Sequence, residues 1–240
     1  MTRLRPSNLP AATAQRGARS GNGTARVGRP VDPALQERRK AQIIKAATRL
    51  FARRGFQQTD LQDVADALKV GKGTLYRYFP SKRELFQGAV DSVMNGMRAA
   101  IDAATADAPD PLDRISLAIR AYLKFFHDHP EFVELLIQER AEFRDRPKPT
   151  YFEYREANVG RWQQIYRTLI GEGRMRDIPV DRISDVIGDL IYGTMFTNYM
   201  AHRTKNLVEQ ADDLLDILYQ GLLTQSELTR RSQRRPDNHA

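Results

Sequence analysis

Lys72, Arg77 and Tyr78 place an ammonium, a guanidinium and a phenol within seven residues, outside any apolar stripe. Ammonium and guanidinium groups donate to guanine O6 and N7, the contacts by which a side chain reads a base pair from the major groove. Such groups work only when a rigid element holds them outward, and the flanking pattern supplies one. Leu61, Val64, Ala65 and Leu68 recur at i, i+3, i+4 and i+7, the spacing of one buried helical stripe. Val70, Leu75 and Phe79 lie too far round to continue that stripe and mark a new helix after a turn. Thr59 and Gln62 have capping-box spacing at the head of the first helix, as do Ser81 and Glu84 at the head of a third. Short helix, short turn, short helix with a basic outer face is how a chain presents side chains to a major groove.

The run Gly73-Thr74-Leu75-Tyr76-Arg77-Tyr78-Phe79, then Ser81-Lys82-Arg83-Glu84-Leu85, resembles the signature of the TetR family of bacterial transcriptional regulators. The likeness extends back to Ile43. It implies an all-α chain, with an N-terminal three-helix DNA-binding domain containing a helix-turn-helix and a larger C-terminal helical domain for ligand binding and dimerisation. The implied function is a sequence-specific DNA-binding transcriptional regulator, a repressor released from a pseudo-palindromic operator by a small-molecule effector. A ligand-independent regulator and a non-specific architectural DNA-binding protein are the alternatives. Two positions depart from the family pattern: Lys69 stands where glycine is usual in the turn, and Gly71 where a serine cap is frequent. A lysine at positive φ costs about 1 kcal/mol, whereas a glycine N-cap loses only a few tenths. A shifted turn that gives Gly71 the strained position is the other possibility.

Geometry and resemblance together turn the outward face of residues 71–78 to the groove, with Lys72 and Arg77 at base edges. Gly73 permits close approach, and Tyr76 offers ring contact to a thymine methyl or joins the core. Thr59, Thr74, Tyr78 and Lys82 match positions where the family binds phosphate, and each carries a suitable donor. Leu75 and Phe79 belong to the core.

Charge distribution points the same way. Residues 1–30 carry six arginines and no acid, and residues 31–84 carry twelve basic and six acidic residues. Residues 85–229 reverse the balance, with sixteen basic and twenty-three acidic residues. A basic end on an acidic body is an electrostatic footprint for phosphate. Residues 1–31 are too poor in large apolar side chains to offset ordering and read as a disordered basic arm. Within that arm, Arg26 and Arg29 flank Val27-Gly28 ahead of Pro30, a pattern similar to an AT-hook core that enters a narrow minor groove. A leader adding only salt-dependent attraction is the plainer reading.

The helix-turn-helix domain then spans 32–80, its first helix opening at Asp32 or Pro33 and closing at Gly55. Residues 81–226 read as helices throughout, with breaks near Pro109, Pro147 and Pro149, and Pro179. Residues 227–240 read as a flexible basic tail. Ile183, Ile187, Leu190, Thr194, Thr197 and Ala201 alternate four and three apart; Val208, Ala211, Leu215, Leu218 and Leu222 do so on the next helix. That spacing makes a narrow helix-packing seam, and the resemblance implies a homodimer built on it as a four-helix bundle. Aromatic and soft side chains gather where the family encloses an effector: Phe125, Phe126, His129 and Phe132, then Tyr151, Tyr154, Trp162 and Tyr166, then Met195 and Tyr199. As a set they suit an apolar or aromatic ligand; Glu139, Glu142 and Glu153 would favour a cation if they lined the same space.

Enzyme chemistry lacks its parts: there is no cysteine, no nucleophile elbow, no phosphate-cradling glycine loop and no convincing carboxylate pair. No cofactor is expected, and His127, His129 and His202 lack metal-ligand spacing. The partners expected are a double-stranded DNA operator, a second copy of the chain and a small-molecule effector of unread identity. No secretory signal or membrane span is expected, which places the protein in the bacterial cytoplasm.

Overall fold

Asp32 opens the first helix by accepting from the Ala34 N–H at 2.9 Å, and Pro33 follows in the opening turn, where its missing N–H is not needed. That helix, α1 (Pro33–Gln58), breaks its regular path at Gly55, whose φ of 84° lies in the left-handed region that glycine enters without strain. The structure, a computed structural model, describes residues 32–203 and 205–234. Two short helices follow, α2 (Leu61–Ala67) and α3 (Lys72–Tyr78), then the long α4 (Lys82–Thr105). The body continues with α5 (Pro111–Asp128), α6 (Glu131–Glu142), α7 (Thr150–Gly171), α8 (Val180–Met200), α9 (Leu207–Leu222) and α10 (Gln225–Arg234). Among the described residues the fold is all-α, with Met175 and Leu223 forming an isolated antiparallel bridge.

α4 is the spine. It packs on α1 in the head and on α5, α6 and α7 in the body. Its inner face, Leu85, Phe86, Ala89, Val90, Val93, Met94 and Met97, recurs at helical spacing and is buried throughout. Phe86 sits 5.0 Å from Phe51 and 5.2 Å from Phe56, and Phe56 sits 5.0 Å from Phe143. These four rings join α1, α4 and the end of α6, and full burial of each such side chain stabilises the fold by roughly 1.5–3 kcal/mol. Gln138 of α6 accepts from the Phe56 N–H at 2.9 Å, and Arg83 pairs with Asp145 beyond α6. Head and body therefore share one core.

Two expectations need correction. Thr59 does not cap α2: Asp60 accepts from the Gln62 N–H at 2.6 Å, and Asp63 accepts from the Asp60 N–H at 2.9 Å, so the capping box lies one residue later. The tail drawn from residue 227 is helical as far as Arg234, because α10 is anchored by Glu227, only 1% exposed and paired with Arg174 and Arg230. Arg174 also binds Asp110 at the head of α5. A charged stretch that looks solvated in isolation is held by one buried ion cluster.

Candidate nucleic-acid interface and effector cavity

The turn between α2 and α3 closes on Lys69. Its φ is 54°, its N–H donates to Asp66 O at 3.0 Å, and the Val70 N–H reaches back to Ala65 O at 3.0 Å. This is a Schellman cap with lysine in the left-handed place that glycine usually takes. Gly71 keeps an extended φ of −71° and serves as the N-cap of α3, so the turn has not shifted onto it. Leu75 and Phe79 are buried against the head core, which fixes the rotation of α3 and turns Gly73, Tyr76 and Arg77 outward. Tyr76 is 45% exposed, which settles it as a surface ring rather than core.

Lys72 is already engaged, its ammonium 3.1 Å from the Asp60 carboxylate. The backbone N–H of Gln62, then Lys72, hold the Asp60 carboxyl below its ordinary range, and Asp60 in turn raises Lys72. Arg77 lies over the Tyr78 ring at 5.5 Å. Lys82 donates to Gln57 O at 3.1 Å and lies over the Phe56 ring at 4.5 Å, which ties the start of α4 to the end of α1. Thr74 and Tyr78 are half-buried on the same face. Thr59 is the exception: it is 1% exposed and its hydroxyl donates to Gly55 O at 2.8 Å, so that side chain cannot serve as a phosphate donor. Arg26 and Arg29 lie outside the described residues.

The body holds a cavity of about 140 Å³. Met97 and Ile101 of α4, Ile115, Ile119 and Tyr122 of α5, Tyr151 to Tyr166 of α7 and Ser184 to Ile191 of α8 contribute to its wall. Of the aromatic set expected from sequence, Tyr151, Tyr154, Trp162 and Tyr166 line it. The others do not. Phe125, His129 and Phe132 pack on one another where α5 gives way to α6, with the His129 and Phe132 rings stacked 4.8 Å apart. Phe126 is core, 1% exposed, Met195 is fully buried, and the Tyr199 hydroxyl donates to Glu134 at 3.0 Å. The acids also lie elsewhere: Glu139 is buried against Arg146 and accepts from the Thr150 N–H at 3.1 Å, bracing the start of α7. Tyr122, Arg155 and the aliphatic wall were missed because apolar helical spacing alone does not distinguish cavity from core.

The seam residues also divide. Ile183, Ile187, Ala211, Leu215 and Leu218 are buried within a single chain and so cannot form the contact surface expected of them. Helix α8 packs on α9 and both close over α5, which turns that stripe inward. Leu190, Thr197 and Ala201 are exposed, while Thr194, Val208 and Leu222 are half-buried. The exposed apolar residues of α8 and α9 that the spacing missed include Val186, 50% exposed, Met200, 59% exposed, and Ile217, 69% exposed.

A capped two-helix unit with a basic outer face, locked to a helical body with its own cavity, defines a helix-turn-helix DNA-binding regulator. Residues 43–89 match the family model described as bacterial regulatory proteins, tetR family. Residues 43–89 thus form a DNA-binding domain of the TetR type, and the chain is a DNA-binding transcriptional regulator. It is 28% identical over 157 residues to the HTH-type transcriptional repressor KstR2 of Mycobacterium tuberculosis H37Rv, covering 63% of this chain and 76% of that one. The fold is similar to the solved structure of the same ketosteroid regulator, with a TM-score of 0.58 at 22% identity over 78% of this chain and 96% of that one. It is similar also to the fatty acid degradation regulator FadR of Bacillus halodurans, with a TM-score of 0.65 at 15% identity over 80% and 97% of the two chains.

Proposed function

We propose that this regulator is a homodimeric repressor that leaves a pseudo-palindromic operator when a small molecule enters the α4–α5–α7–α8 cavity. The observation that carries the reading is the path of α4, which begins at the reading head beside Lys82 and contributes Met97 and Ile101 to the cavity wall. A ligand that binds better to one orientation of α4 shifts the spacing of the two heads by its differential affinity. Val186, Leu190 and Ile217 give α8 and α9 an exposed apolar face suited to a two-fold four-helix contact. Two-fold symmetry places the half-sites about one helical turn apart, or further if the heads spread. At the head, Arg77 reads a base edge beside Lys72, while Lys82, Thr74 and Tyr78 hold phosphate.

Selection of bound sites from random DNA with the full chain tests the reading. An inverted repeat, bound by a dimer and released in a compound screen followed through Trp162 fluorescence, is the expected result. Equal affinity for selected and random DNA would leave a non-specific architectural protein. A selected operator that no compound releases would leave a ligand-independent regulator.

A further inference from the structure

The cavity wall carries information about charge. Among the described residues lining it, Arg155 alone bears a formal charge. Its guanidinium lies 2.7 Å from the Asp189 carboxylate and 3.5 Å from that of Asp185. Gly188 permits this, since a Cβ there would meet the guanidinium at 2.6 Å. Two carboxylates already face the one cation, so a carboxylate ligand would have to displace Asp189, and an ammonium ligand would meet Arg155 itself.

The polar chemistry left over is neutral. The Tyr122 and Tyr151 hydroxyls meet at 3.0 Å, and the Tyr122 hydroxyl donates onward to Met195 Sδ at 3.5 Å. Both residues line the cavity, and they are 3% and 5% exposed. Burial pushes both phenols well above their ordinary range, so each keeps its proton at neutral pH. A thioether is a weak acceptor, so the final proton of this pair is satisfied poorly for a fully buried donor. Asn158 and Ser184 add two neutral side chains to the wall, and both already donate to their own helix backbone, Asn158 to Tyr154 O at 2.7 Å and Ser184 to Val180 O at 2.8 Å. The rest is aliphatic and aromatic. A cavity of about 140 Å³ takes a molecule on the order of one benzene ring with a short substituent.

Resting on the effector reading above, we propose that the cavity selects an uncharged, compact apolar molecule, one ring or a short chain, with a single oxygen acceptor that takes the hydrogen bond now given to Met195 Sδ. A ketone, ester or ether oxygen meets the requirement; a carboxylate and an ammonium do not.

Four size-matched probes test this on the full chain through Trp162 fluorescence: propiophenone, n-propylbenzene, phenylacetate and 2-phenylethylammonium. Propiophenone is expected to bind about tenfold tighter than n-propylbenzene, the ratio for one neutral hydrogen bond gained over a poor one. Both charged probes are expected to bind more weakly than the hydrocarbon. Tyr122→Phe should narrow the ketone preference, and Tyr122→Phe with Tyr151→Phe should bring it below about threefold. Retained n-propylbenzene binding shows that these variants keep the cavity. Tighter binding of either charged probe, a ketone preference that survives the double substitution, or no binding of any of the four would overturn the proposal. Operator release separates it from the reading on which it rests. A ketone that binds as expected and leaves operator affinity unchanged refutes the effector reading alone. A charged compound that releases the operator refutes this inference alone.

Discussion

The reading head and the cavity of this regulator use similar side chains under opposite conditions. In the head, Lys72, Arg77 and Tyr76 stand on one short helix at the surface, where water screens the two cations and phosphate or a base edge can reach all three. In the body, Tyr122, Tyr151 and Arg155 come from two helices into a wall where every donor needs a partner. The head is written in consecutive residues and the cavity in residues far apart along the chain. The exposed Asp60–Lys72 pair can open for DNA at little cost, whereas a buried hydroxyl changes partners only when a ligand brings an acceptor. Contact with a large charged polymer needs accessible groups; recognition of a small neutral molecule needs groups short of better alternatives.

The largest effect expected would break the claim that the two regions share one core. Phe86→Ala removes the ring between Phe51 and Phe56 and should cost roughly 3–5 kcal/mol. Urea unfolding followed by circular dichroism and by Trp162 fluorescence should then show coincident transitions; separate transitions would make head and body independent units. Next, Arg77→Ala should cost about 1–3 kcal/mol on the operator and relax preference at one base position, while Lys82→Ala weakens all sequences alike and lowers the salt slope by about 1. Binding anisotropy on operator and random DNA checks both, and equal losses for the two variants would erase their division of labour. Lys69→Gly should stabilise the fold by up to about 1 kcal/mol, since relief at φ 54° outweighs the added freedom of the unfolded chain. An unchanged or lowered urea midpoint would refute that.

The smallest effect concerns Asp60. Its carboxyl is held low in the folded state, so its contribution to stability is complete above the ordinary aspartate range and fades as pH falls through the lowered value. Asp60→Asn keeps a good N-cap and should flatten stability in that acid window. It should also free Lys72 and steepen the salt dependence of binding to random DNA. An acid titration and a salt series check the two parts, and a variant identical to the parent in both would show the pair to be idle.

How legible each region was follows from this geometry. Leu61, Val64, Ala65 and Leu68 announced α2, and Gly73 to Phe79 announced α3, because a helix's buried stripe repeats within a few residues. The cap was misplaced by one residue: Thr59 and Asp60 are both good N-caps, and only packing shows that the Thr59 hydroxyl turns inward to Gly55 O. Tyr154, Trp162 and Tyr166 were found in the cavity because α7 presents them at helical spacing. Phe125, Phe132 and Tyr199 have the same chemistry but face other neighbours, and no local pattern separates the two groups. The seam divided for a related reason. Ile183, Ile187 and Leu215 repeat as an interface would, yet a helix with two apolar faces does not declare which is covered by its own chain.

The sequence by itself determined that this chain builds helices, where most begin and end, and that a basic two-helix unit lies near its start. Apolar periodicity and most caps and turns act between residues one to four apart, and that information is largely present in the string, the choice between Thr59 and Asp60 being an exception. The tertiary structure decided which face of α8 and α9 remains open, that α10 is anchored through Glu227 and Arg174, and that a neutral hydroxyl pair sits in the cavity wall. Those outcomes depend on which side chains meet across the body, as Tyr122 meets Met195 seventy-three positions away. Helical spacing carries no record of such meetings, because every buried face of a helix is written in the same alphabet.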